Sequence, residues 1–201
     1  MPDSPLTARS AFSCLLVAVG NGRGITVTDR DGLGLATVAV RRGESSRLSR
    51  RIRESFGIEL PEGPTLAAAG DVSFAGTAPG TWLAIRERGG NDFAAALRQD
   101  IESAAAVTDQ SDGYGVLRLE GPKVRHALAK LVPIDLHPLA FAPGAVAATI
   151  AAHMGIILWR LQDAGGGAVF EIAVFRSLAS SFWHALSESA AEFGLAVGRA
   201  V

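Results

Sequence analysis

Two periods of apolar residues run along the chain. From Ser45 to Phe56, Leu48, Ile52 and Phe56 recur every four residues, which gathers them on one helical face, and Gly57 supplies the stop. A second helix is expected behind Asn91 or Asp92, with Phe93, Leu97 and Ile101 turned inward. Pro122 suits a first helical turn and precedes the stripe Val124, Leu128 and Leu131. Ser177 is placed to cap a fourth helix carrying Leu178, Phe182, Leu186 and Phe193 inward, with Gly194 at its end.

Between these lie short branched or aromatic runs bounded by turn residues, which predict strands. They are Leu35 to Val40, Asp71 to Ala75, Thr81 to Arg86, Tyr114 to Leu119, Val146 to Ala151, Ile156 to Leu161 and Val169 to Val174. The order strand, helix, two strands, helix recurs about 80 residues further on without a residue-level repeat. The fold class that follows is α+β, a pseudo-duplicated pair of βαββα halves at about 30–105 and 106–201. Residues 1–28 read as an N-terminal arm or strand, held less firmly than the single domain at 29–201. The loop clusters Gly20-Asn21-Gly22-Arg23-Gly24, Leu60-Pro61-Glu62-Gly63-Pro64 and Ala164-Gly165-Gly166-Gly167 are too short to link independent domains.

Composition narrows the class. The chain has 201 residues, 48% hydrophobic and only 19% charged, with a net charge of −1. Mean hydropathy is +0.26 and the mass is 20.8 kDa. A disordered tail is excluded, and a general attraction to nucleic acid or an anionic membrane is not expected. Seventeen of the 19 cations are arginine, which together with the many alanines and glycines suggests a GC-rich bacterial genome. The single cysteine, Cys14, excludes an internal disulfide or a cysteine cage and reads as a small buried thiol. The apolar stretch Ala11 to Val19 is too short to span a bilayer, and an acid precedes it rather than the basic start of a secretory signal. A cytoplasmic location is the expectation.

Candidate chemistry is sparse. His126, His137, His153 and His184 match no local metal motif. The first glycine cluster follows an apolar run as a dinucleotide loop would. However, Ile25-Thr26-Val27-Thr28 behind it is strand-like, so the helix N-terminus that holds a pyrophosphate is missing and a flexible turn is expected. The acids Asp109, Asp112, Asp135, Asp163 and Glu171 form no paired-carboxylate motif. Arginines 41, 42, 47, 50, 51 and 53 fan around the helix side opposite Leu48 and Ile52. They read either as a solvated face or as a patch for an acidic protein surface, with nucleic acid a remote third reading. Trp82, Trp159 and Trp183 suit core packing and interface anchoring equally. Catalytic, cofactor-binding and metal-binding residues are therefore expected to be none. Arg47, Arg50, Arg51 and Trp82 are the candidate partner interface.

Longer pieces carry a family resemblance. They include Leu117-Arg118-Leu119-Glu120-Gly121-Pro122, Pro133-Ile134-Asp135-Leu136-His137-Pro138, Phe141-Ala142-Pro143-Gly144 and Leu158-Trp159-Arg160. Phe170-Glu171-Ile172-Ala173-Val174, Ser181-Phe182-Trp183, Gly32-Leu33-Gly34-Leu35-Ala36 and Pro79-Gly80-Thr81-Trp82-Leu83-Ala84 complete the set. Together these resemble the γ subunit of heterotetrameric sarcosine oxidase, over nearly everything after about residue 25.

More distantly the chain looks like the N-terminal region of the folate-binding aminomethyltransferase (T-protein), whose pattern meets Asp109, Ser111, Gly121, Asp135, Pro143 and Gly144. That resemblance implies ferredoxin-like halves. Its Gly-Gly-x-x-Asp-Asp stretch is absent: the matching strand, Gly155-Ile156-Ile157-Leu158-Trp159, has no acid to serve folate chemistry. The resemblance implies a non-catalytic subunit of a complex that oxidises sarcosine to glycine, making hydrogen peroxide and passing one carbon to tetrahydrofolate. FAD, FMN, NAD and tetrahydrofolate would sit on the partner subunits, α, β and δ, with metal on δ. The alternatives are the equivalent subunit of a related N-methyl amino acid oxidase or dehydrogenase, a stand-alone folate-binding module, and an RNA-modification accessory using the Arg41 to Arg53 patch.

Overall fold

A computed structural model describes residues 9–19, 23–88 and 92–198. The acid-bearing start at 1–5, the Gly20-Asn21-Gly22 part of the first glycine cluster and the helix cap expected at Asn91 lie outside these residues. Along the chain come β1 (Ile25–Asp29), β2 (Gly34–Val40), α1 (Ser45–Phe56), β3 (Leu66–Ala69), β4 (Val72–Ala78), β5 (Thr81–Arg86), α2 (Phe93–Asp100) and β6 (Ala105–Asp109). Then follow β7 (Tyr114–Gly121), α3 (Val124–Leu128), β8 (Val146–Ala151), β9 (Met154–Ala164), β10 (Gly167–Phe175), α4 (Ala179–Ala190) and β11 (Leu195–Val197).

The strands form a five-stranded sheet, β3-β4-β5-β2-β6, and a six-stranded sheet, β11-β1-β7-β10-β9-β8. Nearly all pairings are antiparallel; β1 with β11 is parallel. Side chains alternate across each strand, and the alternation builds four layers. In β5, Trp82 and Ala84 face a core shared with Leu48 and Ile52 of α1 and Phe93 and Leu97 of α2. Leu83 and Ile85 face the opposite way, into a core between the sheets with Val116, Val146, Trp159 and Ala173. In β10, Phe170, Ile172 and Val174 meet Val124 and Leu128 of α3 and Phe182 and Leu186 of α4. The layers thus run helices, sheet, sheet, helices.

The two sheets are stitched just before β3 and β8 begin. Thr65 bridges Ala145, flanked by Leu66 N–H to Gly144 O and Val146 N–H to Pro64 O, both at 2.8 Å. Where the chain leaves each sheet it first extends a ladder of that sheet: Gln110 N–H donates to Leu35 O (2.8 Å) beyond β6–β2, and Arg30 N–H to Val116 O (2.9 Å) beyond β1–β7.

Several expectations are corrected. Residues 25–28 are not a loose arm: β1 sits between β7 and β11, with Ile25 and Val27 fully buried. The sheets divide the chain at 34–109 against 25–29 with 114–197, so β6 stays with the first sheet and β1 joins the second. Cys14 is exposed, because residues 11–15 form a turn that points Phe12 inward instead. Ser177 lies in a 3₁₀ turn, Arg176–Leu178, with no side-chain cap, and the helix starts at Ala179. Asp92 makes no cap hydrogen bond either. The third helix ends at Leu128, before the expected Leu131, because tighter bonds such as Leu131 N–H to Leu128 O take over ahead of Pro133.

Candidate functional site

The arginine face of α1 is as the periodicity places it. Leu48 and Ile52 point into the core, while Arg41, Arg42, Arg50 and Arg53 are exposed and Arg47 and Arg51 half-buried. Arg47 pairs with Glu44 at 3.6 Å and Arg51 with Glu54 at 3.9 Å, each three residues apart on the helix. Arg53 pairs with Glu59. Such pairs are worth roughly 0.3–0.5 kcal/mol, so they position the guanidinium groups without neutralising the face.

Trp82 belongs elsewhere. It is 8% exposed, packed in the helix-covered core, and its indole Nε1 donates to Pro61 O at 2.9 Å. Trp159 and Trp183 are likewise buried, so all three tryptophans act in the core.

Sequence reading missed a buried ionic centre between the sheets. Glu171, 3% exposed, sits mid-strand in β10. Its Oε1 accepts from Arg30 Nε at 2.8 Å and from Arg118 Nε at 2.9 Å, and its Oε2 from Trp159 Nε1 at 2.9 Å. Arg30 also pairs with the half-exposed Glu87 of the other sheet's side. Burial alone would depress the Arg30 guanidinium, but Glu171 and Glu87 more than offset it and its pKa is raised. The available signal was one acid at an inward-alternating position of an apolar strand, Val169-Phe170-Glu171-Ile172.

Beside Arg30 a cleft of about 340 Å³ is lined by Ser10, Asp29, Asp31, Ser111, Asp112 and Arg176, among others. Burial raises the Asp29 carboxyl above the ordinary aspartate value, the Ser10 hydroxyl opposes this, and Asp31 adds to it.

The residues shared with the aminomethyltransferase pattern shape the chain. Asp109 Oδ1 accepts from Ser111 N–H at 2.9 Å, and the Ser111 hydroxyl accepts from Leu35 N–H at 3.1 Å, which turns β6 into β7. Asp135 Oδ1 accepts from His137 N–H at 2.8 Å. Gly121 adopts φ 130°, and a Cβ there would lie 2.5 Å from Gly24 O. These roles are needed for the fold whether or not a site is present.

The four histidines lie on different elements: α3, the 129–145 loop, the β8–β9 turn and α4. Among the described residues no three His, Cys, Asp or Glu side chains cluster to hold a metal.

Comparison with known proteins agrees with the sequence resemblance. The model of the sarcosine oxidase γ subunit family matches residues 43–192. The chain is 32% identical over 167 residues to a sarcosine oxidase subunit gamma of Arthrobacter sp., covering 80% of this chain and 81% of that protein. A counterpart from Corynebacterium sp. (strain P-1) is 30% identical with the same coverage. Among solved structures, a chain of the heterotetrameric sarcosine oxidase from Corynebacterium sp. U-96 superposes with TM-score 0.79 at 22% identity, covering 92% of this chain and 96% of that one. The aminomethyltransferase T of the glycine cleavage system from Bartonella henselae gives TM-score 0.62 at 14% identity over 89% of this chain and 48% of that one, so the fold is shared with the wider group. With three quarters of its length inside the family match, the chain belongs to the sarcosine oxidase γ subunit family.

Proposed function

We propose that this chain is a non-catalytic subunit that supports assembly of a bacterial, cytoplasmic heterotetrameric sarcosine oxidase with α, β and δ partners. FAD, FMN, NAD and tetrahydrofolate belong to the partners in this reading, and metal to δ. The equivalent subunit of a related N-methyl amino acid oxidase fits the same observations. Nucleic acid and membrane have no part: the net charge is −1, and among the described residues no helix is long and apolar enough to cross a membrane.

The carrying observation is the state of the inter-sheet carboxylates. Glu87 and Glu171 are both ion-paired, and Glu171 accepts from three donors. Glu171 is buried and engaged in holding the sheets together, so it does not present a carboxylate to a substrate. The test is Glu171→Gln within the co-expressed complex. Unchanged sarcosine-dependent peroxide production per assembled complex supports the reading; loss of turnover with assembly intact refutes it.

The same reading includes pseudo-duplicated βαββα halves. The element order β2-α1-β3-β4-β5-α2-β6 matches β7-α3-β8-β9-β10-α4-β11. The bonds joining the sheets are reciprocal, Leu66 to Gly144 answering Val146 to Pro64, and each sheet extends one ladder alike: Gln110 to Leu35 beyond β6–β2 and Arg30 to Val116 beyond β1–β7. One departure stands. β6 pairs with β2, but the corresponding place beside β7 is taken by β1, and β11 pairs outside it.

A second reading, a folate-binding module, is favoured by the acid- and arginine-lined cleft at Asp29. Calorimetric titration of the purified chain with tetrahydrofolate decides it: heat of binding that disappears in Asp29→Asn supports this module, and no heat removes it.

A further inference from the structure

Arg125 of α3 and Arg160 of β9 meet under the loop that joins α3 to β8. Arg160 is 3% exposed. Its Nη1 donates to Phe141 O and its Nη2 to Asp163 Oδ1, both at 2.8 Å. The Arg125 guanidinium lies over the Phe170 ring, 5.9 Å from the centroid. Among the described residues, Nε of Arg160 and Nε and Nη2 of Arg125 are buried and have no hydrogen-bond partner. Donors of a charged group left in this state are costly. Burial first, and then the charge of Arg160, lower the Arg125 pKa, against the pull of Asp163. Two cations therefore share one half-exposed carboxylate.

The covering loop adds a second observation. After the Asp135 turn, His137 O accepts from Ala140 N–H at 2.9 Å and Phe141 N–H at 2.8 Å. This tight loop holds Leu139 outward, 90% exposed, two residues from the carbonyl that Arg160 caps. An apolar side chain so presented is unusual beside cations with unsatisfied donors, and it suits a protein surface better than a free ion in water.

We propose that Arg125 and Arg160, with Leu139 beside them, form a docking site for one carboxylate side chain of a partner subunit. The local charge of two arginines against Asp163 matches a single added negative charge, and the unpaired donors match the fork geometry of a carboxylate. Arg125 swings to admit it, because α3 is short and its arginine is only half-buried. The inference rests on the assembly reading above.

The experiment co-expresses the tagged chain with its partners and measures the salt concentration that releases them. Arg125→Gln removes the cation, and Asp163→Asn, on an exposed side chain, removes the competing carboxylate. Arg125→Gln is expected to weaken retention about tenfold and to flatten its salt dependence. Asp163→Asn is expected to shift release to higher salt, and Leu139→Asp to lower salt. Retention by Arg125→Gln equal to wild type, with the wild-type complex intact, overturns this inference alone. A wild-type chain that retains no partner overturns both this and the assembly reading. Phosphate or acetate that raises the melting temperature of the wild-type chain but not of Arg125→Gln, with partner retention equal in both, overturns the partner carboxylate in favour of a free anion.

Discussion

Glu171 shows how one residue can join two sheets. It is the acceptor for Arg30, Arg118 and Trp159, so its loss leaves Arg30 with Glu87 alone and takes the carboxylate from Arg118 and the indole of Trp159. Removing one member of such a buried network costs about 3–5 kcal/mol. Glu171→Gln keeps the shape and one acceptor, and it should lie at the lower end of that range in urea unfolding of the chain; Glu171→Leu should lie at the upper end. Asp29 provides a pH test. Its native pKa is raised by burial, so the native state holds the proton more tightly than the unfolded state. The ionised form therefore costs stability at neutral pH, and the cost disappears as pH falls through the raised native value toward 3.8, the value of an ordinary aspartate. Asp29→Asn is expected to be more stable than wild type at pH 7 and to lose that advantage in acid. Melting temperatures of both proteins from pH 7 to pH 3 (a range of about four units around the aspartate value) check the sign.

At the scale of elements, what the sequence makes legible is what local chemistry decides. α1 has the predicted bounds because Leu48 and Ile52 select one face and Gly57, at φ 68°, ends the helix. β5 and β8 also match, since each is a compact run between turn residues. β3, β6 and β11 were invisible: Leu-Ala-Ala-Ala, Ala-Ala-Val-Thr-Asp and Leu-Ala-Val carry little strand preference. Pairing with β4, β2 and β1 makes them strands; the partners of β6 and β11 lie far back along the chain, whereas β3 closes a hairpin with β4 across Gly70-Asp71 that its alanines do not announce. The interior place of β1 was hidden for the same reason, because its neighbours β7 and β11 lie far along the chain. The β8–β9 hairpin has a feature that only coordinates reveal: its turn residues Ala152 and His153 both have positive φ, 46° and 70°. Two-residue hairpin turns of this hand favour Asn and Gly, and non-glycine residues there hold strain of order 1 kcal/mol. His153→Gly should raise stability by about 1 kcal/mol, read as a shifted urea midpoint at unchanged slope. A neutral or negative effect would mean that the turn is relaxed as it stands.

On the scale of the whole molecule, the resemblance identified the family, but neither it nor composition located a partner surface. Charged residues are 19% of the chain against about 25% in ordinary soluble domains, and obligate interfaces share that bias. The structure removes Trp82 from the candidates, since its ring is core, and leaves the α1 arginines as the charged face set apart from the buried layers. Arg47 and Arg51 are already paired within the helix, so a partner would meet a pre-positioned array of guanidinium groups whose geometry suits carboxylates. Charges of this exposure act mainly on encounter rate and salt dependence. Changing Arg47, Arg50 and Arg51 together to Glu reverses three charges without touching Leu48 or Ile52, so the helix is expected to stay folded. Capture of the partner subunits by this variant should fall at physiological salt and approach the wild-type level when screening is increased, because the repulsion it introduces is long-ranged. Undiminished capture at physiological salt would make this face solvated, and the interface would then centre on the surface carrying Arg125, Arg160 and Leu139.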